Sequence, residues 1–185
     1  MRNPEGAIIG IRLRFPDGTK RAIRGSKEGL FLPADLLNPT NPIDRLLIVE
    51  GPTDAAALLD LAYDYVIGRP SCTGGVKHLV QWCRRHQPQE AVIVADGDEP
   101  GQRGAERLAR ELLLYVPQIR VVVPTQHKDV REFRRRGGTR EIFEEAIAGA
   151  PARRLVVTVG TPDDATSPHR HPPPNEGQDG AAVMK

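Results

Sequence analysis

The feature that most constrains this chain is an alternation. From Asp44 onward, short apolar runs take turns with segments of helical periodicity, the signature of βαβ units and a mainly parallel sheet. The run 46–49 (Leu-Leu-Ile-Val) reads as a buried strand ending at Glu50, and Gly51-Pro52 turns the chain into a helix whose inner face is Ala55, Leu58, Leu59 and Ala62. Proline fits the first turn of a helix, where its missing N–H costs nothing. Residues 65–67 read as a second strand closed by Gly68, and the loop 69–75 leads to a helix over 76–85. Residues 91–95 form a third strand ending at Asp96. The helix after Gly101 carries Ala105, Leu108, Ala109, Leu112, Leu113 and Val116 as one amphipathic stripe. Residues 121–123 are the fourth strand. Two shorter helices follow at about 129–136 and 139–148, the second burying Ile142, Phe143, Ala146 and Ile147. The pattern predicts an α/β domain over 44–150 with a four-stranded, mainly parallel sheet and flanking helices.

The flanks behave differently. In 1–43, Ile9, Ile11, Leu13 and Phe15 alternate with Arg12 and Arg14 before Pro16-Asp17-Gly18, which predicts a β-hairpin whose returning strand is 19–23. Pro33, Pro39 and Pro42 then exclude regular structure and mark a connection. In 151–185, residues 155–159 are a possible edge strand. From Gly160 onward the chain has five prolines, three glycines and few apolar residues, so a disordered tail is expected, with His169 and His171 solvated rather than metal-binding. No stretch approaches the roughly 20 apolar residues of a membrane-spanning helix. Cys72 and Cys83 are too few for a disulfide scaffold, and no secretory signal opens the chain, so a cytoplasmic location without membrane partners is expected.

Net charge is only +2, but it is unevenly spread. Residues 1–30 hold seven basic against three acidic side chains, and residues 127–140 hold six against two; residues 44–101 hold nine acids against five bases. An acidic centre between basic flanks suits a polyanion gripped by arginine and lysine around carboxylates that collect divalent cations. Solvated helix faces are the plain alternative.

Ligands of an open parallel sheet gather at the carboxyl ends of its strands. Glu50 closes the first strand there, and Asp96 with Asp98 closes the third. Alternate residues of an extended segment point the same way, so both aspartates can reach a common ion, and Gly97 leaves room for backbone to approach it. Such carboxylates repel one another unless a hard cation such as Mg²⁺ or Mn²⁺ joins them, and bound metal would serve phosphoryl transfer. Helix capping is the structural alternative, favoured for Asp54 and available to Asp98.

Three pieces of this arrangement resemble the Toprim domain of bacterial-type primases, topoisomerases and some nucleases. They are Leu47-Ile48-Val49-Glu50-Gly51 with Asp54 following, Val94-Ala95-Asp96-Gly97-Asp98-Glu99-Pro100-Gly101, and Lys128-Asp129 after the fourth strand. The opening Arg2-Asn3-Pro4-Glu5-Gly6-Ala7-Ile8-Ile9-Gly10 and Gly25-Ser26-Lys27-Glu28-Gly29-Leu30-Phe31 are similar to the subdomain preceding Toprim in the DnaG-like primases, so the resemblance spans 1–148. It implies a Rossmann-like Toprim sheet behind a small N-terminal hairpin. It further implies Glu50, Asp96 and Asp98 as catalytic metal ligands for Mg²⁺ or Mn²⁺, Asp54 and Asp129 as supporting acids, and Lys128 as a phosphate contact. Arg12, Arg14, Lys20, Arg21 and Lys27 would bind nucleic acid.

The departures shape the functional reading. No cysteine and histidine set stands ahead of the hairpin, and Cys72, His78, Cys83 and His86 lack paired C-x-x-C spacing, so they are expected on helix faces and no zinc is expected. The sequence therefore reads as a reduced or truncated primase core. Residues 69–77 are glycine-rich without G-x-x-x-x-G-K-[ST], which disfavours an ATPase. A response-regulator reading with Asp96 as phosphoacceptor would want its acid pair after the first strand. The expected activity is synthesis of short primers on single-stranded DNA from nucleoside triphosphates, with a replicative helicase or separate zinc-binding module as possible partners. A Toprim nuclease and a non-catalytic accessory module are the competing classes.

Overall fold

The computed structural model describes residues 1–124 and 126–156. Met1–Leu155 forms one compact unit. Its sheet contains β3 (Arg45–Glu50), β4 (Val66–Arg69), β5 (Glu90–Val94) and β6 (Gln118–Val122), all parallel, in the order β4-β3-β5-β6; ahead of it, β1 (Arg12–Arg14) and β2 (Lys20–Ala22) form an antiparallel hairpin. The helices are α1 (Gly51–Asp60), α2 (Val76–His86), α3 (Glu99–Leu112), α4 (Val130–Arg135) and α5 (Arg140–Gly149). Among the described residues no helix is long and apolar enough to cross a membrane.

The continuous apolar runs have a direct physical cause, because each central strand is covered on both faces. Leu46, Ile48, Ala91 and Ile93 pack with Leu79 and Trp82 of α2 and Leu108 and Leu112 of α3. Their neighbours Leu47, Val49, Val92 and Val94 pack on the other side with Leu58 of α1, Phe133 of α4 and Phe143 of α5. The N-terminal segment joins the first of these layers. Leu30, Leu32, Leu36 and Ile43 are buried there, Phe31 pairs antiparallel with Gly68 on β4, and the Trp82 indole N–H donates to the Leu36 carbonyl at 3.2 Å.

Several expectations need correction in detail. Strand β4 continues through Gly68 and Arg69, because Gly68 stands in register with Val49 of β3 on one side and exchanges both its backbone hydrogen bonds with Phe31 on the other. Strand β6 begins at Gln118, its polar residues being drawn in by Glu90, which accepts from Gln118 at 2.6 Å and Arg120 at 2.8 Å. Helix α1 is rotated from the expected face: Asp54, Ala55, Ala57 and Leu58 are buried, while Leu59 and Ala62 are exposed. Helix α5 buries Phe143 and Ile147 but exposes Ile142 and Ala146, since only one row of side chains meets the sheet edge. The connection after Pro33 contains a 3-10 turn, Ala34–Leu36, which a proline just ahead of it permits. After α5 the chain meets β6 at Arg153, through an antiparallel bridge to Ile119. Residues 157–159 of the expected edge strand, and the expected tail from Gly160 with His169 and His171, lie outside the described residues.

The hairpin turns at Asp17-Gly18, where Gly18 takes φ +85° and Asp17 Oδ1 accepts from the Thr19 N–H at 2.9 Å. Its apolar face is not covered: Ile11, Leu13, Phe15 and Ile23 are all exposed. Cys72 sits in the β4–α2 loop instead of on a helix face. Cys83 is buried in α2, where burial pushes its thiol up to about 12, and the His86 ring packs on Trp82.

One close approach makes a test. Gly104 in α3 faces the β4–α2 loop, and a Cβ there would overlap the Cys72 carbonyl oxygen. Alanine in place of helical glycine ordinarily stabilises by up to about 1 kcal/mol. Here Gly104→Ala is expected to destabilise by about 1–2 kcal/mol through overpacking, read as a lower midpoint in urea unfolding.

Candidate functional site

The sheet order reverses between β3 and β5. Chain leaving β3 crosses through α1 to β4 on one side, and chain leaving β5 crosses through α3 to β6 on the other. The helices therefore diverge at the carboxyl ends of these two strands and leave a crevice, the usual ligand position in such sheets. A cleft of about 490 Å³ opens there. Glu50, Asp54 and Asp96 line it from the strand ends and α1, Lys128, Asp129 and Arg131 from the start of α4, and Arg12, Arg14 and Lys20 from the hairpin.

Local structure explains how each acid arrives. Glu50 ends β3, and Gly51, at φ +83°, allows the chain to turn directly into α1, a conformation few other residues tolerate. Asp96 follows β5. Gly97 between the two aspartates is packed by the α4 approach: its N–H donates to the Lys128 carbonyl at 2.8 Å, and a Cβ would meet the His127 carbonyl at 3.2 Å. The room the glycine leaves is thus taken by protein backbone. Asp129 begins α4, its side chain accepting from the Glu132 N–H at 2.7 Å.

Two acids are engaged by backbone N–H groups, one as the sequence allowed and one not. Asp98 caps α3, accepting from the Gly101 N–H at 2.8 Å, because that helix starts at Glu99 instead of after Gly101. Its surroundings are a neighbouring groove with Gln126, His127 and Lys128. Asp54 does not cap its own helix. It is 7% exposed and accepts from the Arg131 N–H at 3.1 Å, across from α1 to the start of α4. Arg21 and Lys27 are not among the cleft residues; Arg21 lies over the Phe15 ring at 5.8 Å, and Lys27 is exposed.

The electrostatics follow from this crowding. Burial, reinforced by Glu50, Asp54, Asp129 and Asp98, pushes the Asp96 carboxyl up to about 7. Burial also raises Glu50, against the pull of Arg69 and with further repulsion from Asp98 and Asp54. Burial raises Asp54 in spite of its bond from Arg131. Among the described residues no three histidine, cysteine, aspartate or glutamate side chains converge as a ready ion cage. The donor set is nevertheless all carboxylate oxygen, which fits a hard divalent cation.

Two residues were legible only in part. Arg69 follows a buried strand in the sequence, and the structure places it 2% exposed opposite Glu50 in the β3–β4 register. It donates to the carbonyls of Ser71 and Cys72, shaping the loop beside the cleft, and makes no ion pair with Glu50. Arg131 is the other; its only sequence signal was its place three residues after Lys128.

Residues 44–123 match the Toprim domain family, and this segment has the Toprim fold. The fold is that of bacterial primase cores. An Escherichia coli primase catalytic core superposes with a TM-score of 0.64 at 23% identity, covering 82% of this chain and 51% of that one. A DnaG primase catalytic domain bound to single-stranded DNA superposes at 0.65 with 22% identity over 82% and 50%. A chain of a bacteriophage T7 complex, in which lagging-strand DNA polymerase meets primase domains bound to an RNA/DNA hybrid and dTTP, gives 0.60 with 23% identity over 80% and 74%. This chain spans about half the length of the two bacterial cores. A search of curated protein sequences found no match.

The raised Asp96 carboxyl has a consequence for stability. A carboxyl whose folded value exceeds its unfolded one favours the protonated form on folding, so stability falls as pH rises from about 4 toward 7. Asp96→Asn is expected to remove that fall. Allowing for solvent screening of a half-buried group, the gain at pH 8 in chelator is roughly 1–2 kcal/mol, or about 3–6 °C in Tm.

Proposed function

We propose that this chain is a metal-dependent nucleotidyltransferase of the primase type, acting on single-stranded DNA with nucleoside triphosphates. The observation that carries the reading is the pairing of an acidic floor with a cationic face in one cleft. Arg14 and Lys20 are directly opposite each other in the hairpin register. Like charges so placed repel unless an anion lies between them. Arg12 is tied down, its guanidinium donating to the Pro70 carbonyl at 2.6 Å, which anchors the hairpin beside the β4–α2 loop.

In this reading Glu50 and Asp96 are the principal holders of Mg²⁺ or Mn²⁺, joined by the free oxygen of Asp98, and Asp54 and Asp129 support them. The cation would neutralise phosphate charge and assist attack by a hydroxyl. Arg14, Lys20 and Lys128 hold phosphate oxygens, while Arg21 and Lys27, outside the cleft, contribute only to the general attraction of the strand. The relatives bound to single-stranded DNA and to an RNA/DNA hybrid support nucleic acid as the partner class. A helicase or a separate zinc-binding module would assist template capture.

The decisive experiment is nucleotide incorporation on single-stranded DNA with Mg²⁺ or Mn²⁺, comparing the natural sequence with Glu50→Gln and Asp96→Asn. Metal-dependent product that both substitutions abolish is expected. Strand cleavage in place of synthesis would favour a nuclease, and binding of DNA and metal without turnover would favour an accessory module. In binding assays, replacing Arg14 and Lys20 together by alanine is expected to reduce the slope of log affinity against log salt by about 1.4, the share of two phosphate contacts on a single strand.

A further inference from the structure

Arg131 is held in the cleft in a way that leaves its side-chain Nε without a partner among the described residues. It is the second residue of α4, and its backbone N–H is bound by the buried Asp54 carboxylate at 3.1 Å. The backbone around it is pinned twice more: Asp129 accepts from the Glu132 N–H at 2.7 Å, and Glu132 accepts from the Lys128 N–H at 3.0 Å. The position of the residue is therefore over-determined by main-chain bonds.

The side chain behaves otherwise. Its Nε is buried and has no hydrogen-bond partner among the described residues, and no carboxylate stands within ion-pair distance of the guanidinium there. Elsewhere in the protein Arg45 and Arg120 bind Glu90, and Arg153 binds Glu106. A buried donor of a charged group left without an acceptor is costly, and a guanidinium suits phosphate oxygen through paired N–H donors. Arg131 lines the same cleft as Lys128, Arg14 and Lys20.

We propose that Arg131 is a phosphate-binding residue of the cleft, and that Asp54 is the positioning residue that presents it. The inference rests on the phosphoryl-transfer reading above and names a contact and a division of labour that the reading does not require. The phosphate oxygens belong either to a nucleoside triphosphate or to a nucleic-acid strand, and the two are separable.

The test is titration calorimetry of the full chain with Mn²⁺ alone, with ATP in the presence of Mn²⁺, and with a single-stranded DNA oligonucleotide. Arg131→Ala is expected to weaken ATP or the oligonucleotide about tenfold, with Mn²⁺ affinity and Tm unchanged; whichever ligand weakens identifies the source of the phosphate. Arg131→Lys should recover only part of the loss, because a single ammonium cannot reproduce the paired donors. Asp54→Asn keeps an oxygen acceptor for the Arg131 N–H and should retain most of the affinity that Asp54→Ala loses. Unchanged binding of both ligands by Arg131→Ala overturns the proposal while leaving the primase-type reading intact, and so does a loss confined to Mn²⁺ affinity or Tm. If Asp54→Asn fails as Asp54→Ala does, and Mn²⁺ affinity falls with it, the positioning role is overturned. Absence of ATP and DNA binding by the natural sequence overturns this proposal and the functional reading together.

Discussion

Carboxylate repulsion at the carboxyl ends of β3 and β5 is the constraint around which the rest of the site is arranged. Burial raises Asp96 there, and the charges of Glu50, Asp54, Asp129 and Asp98 add to it until the carboxyl reaches about 7. Among the described residues no ion pair relieves this. Arg69, the buried cation in register with Glu50, donates from one guanidinium nitrogen to the carbonyls of Ser71 and Cys72, while its Nε has no partner among the described residues. Glu50 thereby feels a positive charge without being captured by it, and its oxygens stay available to a ligand.

The opposite end of the sheet shows what the same chemistry looks like when it serves stability. Glu90 opens β5, only 8% exposed, and receives Arg45, Arg120 and Gln118 at 2.6, 2.8 and 2.6 Å. Burial alone would raise its carboxyl, but these hydrogen bonds outweigh it and hold Glu90 below the usual range. Arg45 continues to Glu144 on α5 at 2.7 Å, which ties the last helix to the sheet. Charges at the amino end are closed into a network; those at the carboxyl end are left open. That asymmetry is what separates a structural polar cluster from a candidate site.

Long-range backbone contacts convert the sheet edge into a cleft. The Gly97 N–H binds the Lys128 carbonyl, and Asp54 binds the Arg131 N–H, so the approach to α4 is fastened to both β5 and α1. The hairpin is fastened to the β4–α2 loop through Arg12 and Pro70, and Phe31 pairs with Gly68. Each anchor joins residues distant in the chain, and together they bring the basic flanks against the acidic centre.

The division between sequence and structure follows from the range of the forces. The parallel sheet was legible because strands covered on both faces must be apolar throughout, and the α3 stripe because a helix on a sheet repeats with its own period. Glu50 and Asp96 were legible because they close strands at the ligand-binding edge, and Lys128-Asp129 through its resemblance to the Toprim pattern. What depended on neighbours far along the chain was not: the inward turn of Asp54, the burial of Arg69 and the Arg131 Nε left without a partner among the described residues. The same limit explains the helix faces that differed, since Leu59 and Ile142 have the right polarity and period but no partner packs against them. The sequence by itself determined the order of strands and helices and the residues at strand ends, through local periodicity and turn chemistry. Only the tertiary structure decided which of those residues share one cleft, because that depends on the reversal of strand order between β3 and β5 and on hydrogen bonds that no local pattern encodes.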